Sequence, residues 1–158
     1  MAGIRRIDHL ALAVKDLEKS ISFFETFFGA KYLFRTKHEG MTTAMLQIGE
    51  DILSLECEAM DGDGFVAQFL RSRGEGVHHI GVEIDNMDDL VEKLKGQGIR
   101  IPEWRLPGDF SARKEIVLGT KVCFGNVLQI IEWNYGTGET IEDRIDRMTR
   151  FSRDRRAD

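Results

Sequence analysis

The chain has 158 residues, of which 42% are hydrophobic and 31% charged, a composition that is typical of a folded globular protein and argues against disorder. Its net charge of −5 gives no overall attraction for nucleic acid or for an anionic membrane, so neither is an expected partner. No apolar run approaches the roughly 20 residues of a membrane helix, and the first residues lack the pattern of a secretory signal, so we expect a cytoplasmic protein.

The first 64 residues predict one βαβββ module. Residues 4–14 alternate in polarity around His9 and predict a strand. Asp16 is typical of a helix N-cap, and the apolar residues that follow it have helical spacing as far as Gly29, which is typical of a helix end. Three more strands are predicted, over residues 30–38, 42–48 and 51–58.

Residues 65–76 predict a short helix that connects this module with a second one over residues 77–135. The second module begins with a strand over 77–84, and Asn86 can cap the helix that follows it. Its three remaining strand candidates are IRIPEW, ARKEIVL and NVLQIIEW. The order of elements is therefore β-α-β-β-β in both modules.

The two modules also repeat in their residues. The segment DHLALAV, which contains His9, aligns with HHIGVEI at a constant offset, and this alignment pairs His9 with His79. An internal duplication constrains the whole fold. The sequence therefore predicts an α+β fold in which paired βαβββ modules form a curved mixed sheet around a central metal-binding cleft.

The histidines in this duplication are the candidates for chemistry. A single histidine on a strand is more often a satisfied core or surface residue than a ligand, but equivalent positions of a duplicated unit are expected to meet at its centre. His78 and His79 are neighbours on one strand, so they should face opposite sides and only His79 should face the cleft. His38 lies among charged residues beside a turn and is expected at the surface.

A divalent ion held by two imidazoles needs further oxygen or nitrogen donors, which we expect from the last strand of each module. In the second module Gln129 and Glu132 are three residues apart, so they should point to opposite faces. In the first module Ser54, Glu56 and Glu58 share one face. Glu58 is expected to be a strand-end charge in water, whereas Glu56 needs a partner because an unpaired buried carboxylate is costly.

The two cysteines, Cys57 and Cys123, are too few and too far apart for a zinc finger or a disulfide framework. We expect both to be buried, reduced thiols on strands.

Residues 136–158 predict a helical arm. Thr140 and Asp143 have the spacing of a capping box. A narrow apolar stripe comprises Ile141, Ile145 and Met148, and a row of arginines beside it comprises Arg144, Arg147, Arg150 and Arg153. Two interpretations remain open: a helix that packs one face on the domain and keeps its arginines in water, or an arm that binds an anion or a second subunit.

Three stretches carry a family resemblance: IDHLALAVKDLEKSISFFETFFGA, FVAQFLRSRGEGVHHIGVEIDNMDDLVEKLKGQGIRI and GNVLQIIEW. They resemble the vicinal oxygen chelate superfamily of glyoxalase-like and bleomycin-resistance-like proteins, and within it the methylmalonyl-CoA epimerases most of all. The resemblance implies the paired βαβββ fold and one divalent metal ion, which would be cobalt, manganese, nickel, zinc or iron. The family's usual His-Pro turn before the last strand is replaced here by GTKVCFGN.

The resemblance also implies the residues of the site. His9 and His79 match the two liganding histidines, and Gln129 stands where the family motif has a liganding glutamate. In the first module the register leaves Ser54 or Glu56 as the fourth ligand, of which Glu56 is the better donor. The implied metal set is therefore His9, Glu56, His79 and Gln129, and Glu56 is also the clear candidate for the catalytic base.

The resemblance implies a metal-dependent enzyme that acts on a small substrate with vicinal oxygens by stabilising an enolate, as a methylmalonyl-CoA epimerase or a lactoylglutathione lyase does. Two alternatives remain. The chain could be a ring-cleaving or 2-oxoacid-type iron dioxygenase of the same superfamily, or a metal-free protein that binds small molecules, as in the drug-sequestering branch. Because members of the superfamily commonly pair, a homodimer is implied as well.

Overall fold

The computed structural model of the chain describes residues 2–101, 113–134 and 140–154, and these residues form seven strands and four helices. In chain order the elements are β1 (Gly3–Ala13), α1 (Leu17–Phe28), β2 (Lys31–His38), β3 (Met41–Ile48), β4 (Asp51–Glu58), α2 (Phe65–Arg73), β5 (Gly76–Asp85), α3 (Met87–Gly96), β6 (Arg113–Leu118), β7 (Leu128–Trp133) and α4 (Ile141–Asp154). The predicted α+β class is confirmed.

The chain divides into two compact units. The first unit comprises His9–His78 and Glu139–Asp158, and the second comprises Met1–Asp8 and His79–Gly138. Both β1 and β5 therefore contribute residues to each unit. The module boundaries that the sequence suggests, at residues 64, 76 and 135, stay predictions.

In the first unit the hydrogen-bonded strands follow the order β2-β3-β4-β1. β1 pairs in parallel with β4, which places Ala13 opposite Glu56. α1 begins where it was predicted to begin, since the side chain of Asp16 accepts a hydrogen bond from Lys19 N at 3.0 Å, and it ends at Gly29 in the left-handed conformation. The core of this unit is built from Val14, Leu17, Ile21, Ala30, Ala44, Leu46, Leu53 and Leu55.

In the second unit the order is β1-β5-β7-β6, with β5 and β7 parallel and β6 and β7 antiparallel. The side chain of Asn86 caps α3 by accepting from Asp89 N at 3.0 Å, as predicted. Residues 99–101 of the predicted strand IRIPEW lie outside the strands, and the rest of that segment lies outside the described residues. The core comprises Val82, Ile84, Met87, Val91, Ile101, Ile116, Leu118, Cys123 and Ile130.

The N-terminus of α4 has the predicted capping box. The hydroxyl of Thr140 accepts from Asp143 N at 3.1 Å, and the carboxylate of Asp143 accepts from Thr140 N at 3.2 Å. Ile141 and Met148 are buried, and the helix contacts β2 of its own unit. Two residues of the apolar stripe are therefore covered within the chain, and the third, Ile145, is half-buried.

The arginine row of α4 differs from the expectation of a solvated face. Arg144 and Arg147 are buried, and Arg144 donates to the backbone oxygen of Glu50 at 2.8 Å. Arg150 is exposed, as expected, and pairs with Asp146 one turn earlier. The expectation fails for Arg144 and Arg147 because these two positions share the docked side of the helix with the apolar stripe.

Both cysteines are free thiols, and burial raises the pKa of each. Cys57 lies on β4 and is only partly buried, whereas Cys123 is buried in the turn between β6 and β7. The expectation of two buried thiols on strands is therefore correct for neither residue in full. None of the helices in the described part of the chain combines the length and apolarity needed to cross a bilayer.

Candidate functional site

One face of β4 carries three buried polar side chains. Ser54, Glu56 and Glu58 are 2%, 6% and 7% exposed, and they alternate along the strand as the period of two requires. Leu53 and Leu55 point the other way, into the core of the first unit. Burial of two carboxylates on one strand face demands a partner for each of them.

The partner of Glu56 is His78. Oε2 of Glu56 lies 2.8 Å from Nδ1 of His78, and the side chains are 8% and 16% exposed. The backbone of Glu56 is hydrogen-bonded as well, because its carbonyl oxygen accepts from Val14 N at 2.9 Å. The imidazole of His78 is supported by Phe69, whose ring meets it edge-on with 5.2 Å between centroids. Both side chains of the pair are therefore mostly buried, and each of the two residues contacts a further part of the first unit.

His78 is the site residue that sequence reasoning missed. Alternation along the strand assigned the site to His79 alone, but one ligand atom each of Glu56, His78 and His79 lie within 4.8 Å of one another. The nitrogens of an imidazole ring lie well beyond Cβ. The strand face on which a histidine lies therefore does not by itself fix the position of these nitrogens. The sequence signal that could have identified His78 was Glu56, a mid-strand carboxylate that needs a partner when it is buried.

The other two predicted ligands, His9 and Gln129, lie in different units. His9 lies on β1 in the first unit and is 8% exposed. Gln129 lies on β7 in the second unit, where its amide nitrogen is 3.5 Å from the carboxylate of Glu115 on β6. Glu115 in turn pairs with Arg113 at 2.5 Å. That His9 and Gln129 join one metal site with His79 stays a prediction.

Glu58 has a structural role that corrects the expectation of a charge in water. Its carboxylate accepts from Gly64 N at 2.8 Å and from Ala67 N at 3.0 Å, so it satisfies free N–H groups at the start of α2. A side chain at Gly64 would overlap this carboxylate. Glu58 is therefore committed to the helix end.

Glu132 serves the second unit in a similar way. Its carboxylate accepts from Met87 N, the first residue of α3, at 2.8 Å, and lies 3.7 Å from Nζ of Lys114. Negative charge at a helix N-terminus is stabilising. The carboxylate of Glu132 is therefore engaged by the start of α3 and by Lys114.

Comparison with known proteins identifies the family. Residues 8–116 match the model of the glyoxalase/bleomycin resistance protein/dioxygenase superfamily. The chain belongs to this superfamily. The resemblance seen in the sequence is thereby confirmed.

Several of the curated relatives and solved structures to which the chain is similar are methylmalonyl-CoA epimerases. Human mitochondrial methylmalonyl-CoA epimerase is 28% identical over 131 residues, which cover 81% of this chain and 74% of that protein. The epimerase of Streptomyces coelicolor, solved with 2-nitronate-propionyl-CoA, has a TM-score of 0.71 at 23% identity over 84% of this chain and 99% of that one. The epimerase of Mycobacterium tuberculosis has a TM-score of 0.69 at 19% identity over 82% and 88% of the two chains. The structural likeness shows the shared fold.

Proposed function

We propose that this protein is an isomerase of the epimerase type, which acts on a coenzyme A thioester with a second carbonyl or carboxylate oxygen beside the thioester. The observation that carries the proposal is the buried pair of Glu56 and His78, with 2.8 Å between Oε2 and Nδ1. The similarity to human methylmalonyl-CoA epimerase supports the reaction class, and the CoA compound bound to the Streptomyces coelicolor enzyme supports the substrate class.

The pair of Glu56 and His78 would carry the proton. A carboxylate on Nδ1 favours the tautomer with its proton on that nitrogen, which leaves the lone pair on Nε2. Nε2 of His78 then removes the proton from the carbon between the two carbonyl groups, and Glu56 stabilises the imidazolium that forms, as the carboxylate of a catalytic triad does. A proton from solvent returns to the opposite face of the enolate, which inverts the carbon, and the imidazolium releases its own proton to solvent. Burial of both side chains keeps water from competing for the base.

The donor atoms also fit a divalent metal ion. Imidazole and carboxylate groups suit zinc, iron, cobalt, nickel and manganese. We propose His79 as a ligand, together with His9 and Gln129, which the resemblance implies. The ion would supply a Lewis acid for the negative charge that develops on the substrate oxygens. The alternative, in which Glu56 is itself a ligand, predicts that its loss removes the metal.

A double-mutant cycle tests the pair as a unit. Glu56→Gln and His78→Asn should each lower kcat/KM for methylmalonyl-CoA by about 10²- to 10⁴-fold. Groups that act as one unit are not additive, so the double variant should be little worse than the poorer single one. Effects that multiply, or a His78→Asn variant with full activity, would contradict the proposal. Metal content and the thermal melt of each variant are the controls.

The second candidate is an iron dioxygenase of the same superfamily. The group of Glu56, His78 and His79 has the two-histidine, one-carboxylate count of non-haem iron oxygenases. Oxygen uptake by iron-loaded protein with catechols and 2-oxoacids separates this function from the first, because epimerisation consumes no oxygen.

Cytoplasmic location is part of the proposal, and cell fractionation tests it against the mitochondrial location in the name of the human relative.

A further inference from the structure

The turn between β6 and β7 displays an aromatic side chain. Phe124 is 98% exposed, whereas its neighbour Cys123 is 8% exposed and belongs to the core of the second unit. The backbone of Phe124 has a φ of 52°. This left-handed conformation is uncommon for a bulky residue and costs conformational energy. Both the exposed ring and the strained backbone carry a cost, which contact of the ring with a ligand would offset.

The turn is a rigid support for this ring. The backbone oxygen of Gly119 accepts two hydrogen bonds, and those of Thr120 and Cys123 accept one each. The donors and distances are Val122 N at 3.0 Å, Cys123 N at 3.1 Å, Gly125 N at 2.9 Å and Asn126 N at 2.9 Å. The backbone on both sides of Phe124 is therefore hydrogen-bonded, which fixes the place of its Cα atom in the turn.

The turn joins the sheet next to a candidate site residue. Val127 accepts from Ile80 N at 3.1 Å, and Ile80 directly follows His79 on β5. Val127 follows Phe124 by three positions, which limits the distance between their Cα atoms to about 11 Å. Phe124 therefore lies in the turn that leads into β7, and β7 pairs with β5, the strand that carries His79.

We infer that Phe124 is a stacking platform for the adenine nucleotide of a coenzyme A substrate. The inference rests on the proposed function for the identity of the ligand. An exposed aromatic face binds a planar heterocycle by stacking, without hydrogen bonds from the protein. Lys121, which is exposed three residues earlier in the same turn, suits the phosphates of the same nucleotide. The reacting end of a long thioester would lie towards His79.

Calorimetry with coenzyme A and with pantetheine, which lacks the nucleotide, tests this inference. Phe124→Ala should weaken the binding of coenzyme A about five- to twentyfold, since one-sided stacking gives the lower part of the usual range. Phe124→Trp should retain binding, and pantetheine should bind the wild type and Phe124→Ala alike. Phe124→Asn removes the ring but tolerates a positive φ, so it covers the case in which the alanine variant misfolds.

Three binding results would overturn the inference: wild-type protein that does not bind coenzyme A, equal affinity of wild type and both ring-less variants, or equal losses for coenzyme A and pantetheine. A change of mass in light scattering on removal of the ring would also overturn it, because Phe124 would then contact a second subunit. Binding that depends on Phe124 in a protein without epimerase activity would support this inference while contradicting the proposed reaction.

Discussion

Oε2 of Glu56 and Nδ1 of His78 are 2.8 Å apart in a part of the first unit where both side chains are mostly buried. The two residues come from β4 and β5 and are 22 positions apart in the chain. Burial of a carboxylate without a partner would be costly. This contact supplies the partner for Glu56, which is buried on β4. The same contact orients the group that we propose to transfer the proton.

Ser54 and Glu56 provide a matched comparison, because they are buried on the same face of β4. Glu56→Gln keeps the size of the side chain and removes its charge, so we expect turnover to fall by about 10²- to 10⁴-fold. Ser54→Ala should leave at least a third of the activity. Steady-state kinetics measure both variants. Equal, small effects would place the proton chemistry elsewhere.

His79 should hold metal, and His38 should not. The side chain of His38 is 58% exposed beside Glu39, so it serves as the control. Protein purified without chelators and then offered cobalt or zinc should bind about one ion per chain, and His79→Ala should bind much less, whereas His38→Ala should match the wild type. Metal analysis after gel filtration reads the result. Full metal content in His79→Ala would refute its role as a ligand.

Glu58 should matter for stability. Glu58→Ala leaves the N–H groups of Gly64 and Ala67 without their acceptor, and an unsatisfied buried donor costs about 1–3 kcal/mol. Asp61→Ala, at an exposed position nearby, should change the free energy of unfolding by less than about 0.5 kcal/mol. Urea denaturation of the two variants provides the comparison. A Glu58→Ala variant as stable as the wild type would show that the capping contacts contribute nothing.

The arm should act on the stability of its own unit. Met148 is 4% exposed, and shortening a buried methionine to alanine costs about 2–5 kcal/mol. Arg150→Ala is the control, because its side chain is 62% exposed. Thermal melts should show a large loss for Met148→Ala and almost none for Arg150→Ala. Similar melts for the two variants would mean that α4 is not docked in solution.

The homodimer implied by the resemblance stays a prediction, but its contact is not expected on the apolar stripe of the arm. Ile141 and Met148 are already covered within the chain. Other apolar side chains are more exposed, for example Phe27 and Phe28 of α1 at 71% and 69%. If a dimer forms, Met148→Ala should clearly lower the melting temperature, whereas the association constant of the dimer should change little. Light scattering over a dilution series gives that comparison.

The local features of this fold could be predicted from the sequence because their causes are local. The caps at Asp16 and Asn86 and the capping box at Thr140 each depend on residues within one helical turn, and all three are present. The polar face of β4 follows from the period of two along a strand. The resemblance carried by three stretches of the sequence pointed correctly to the superfamily.

The features that sequence reasoning missed depend on distant contacts. His78 contacts Glu56 on another strand, and Glu58 accepts hydrogen bonds at the start of a helix that begins seven residues later. Similarly, the burial of Arg144 depends on the side of α4 that faces β2. Periodicity states which residues share a face, but it does not state what that face meets.

Exchange of the proton on C2 of methylmalonyl-CoA with solvent in D₂O tests the central claim most directly, because exchange requires only removal and return of the proton at one face. Metal-loaded wild-type protein should incorporate deuterium at C2, as followed by NMR, and Glu56→Gln and His78→Asn should do so about 10²- to 10⁴-fold more slowly. Exchange no faster than in buffer with free metal, or undiminished exchange in both variants, would contradict the account.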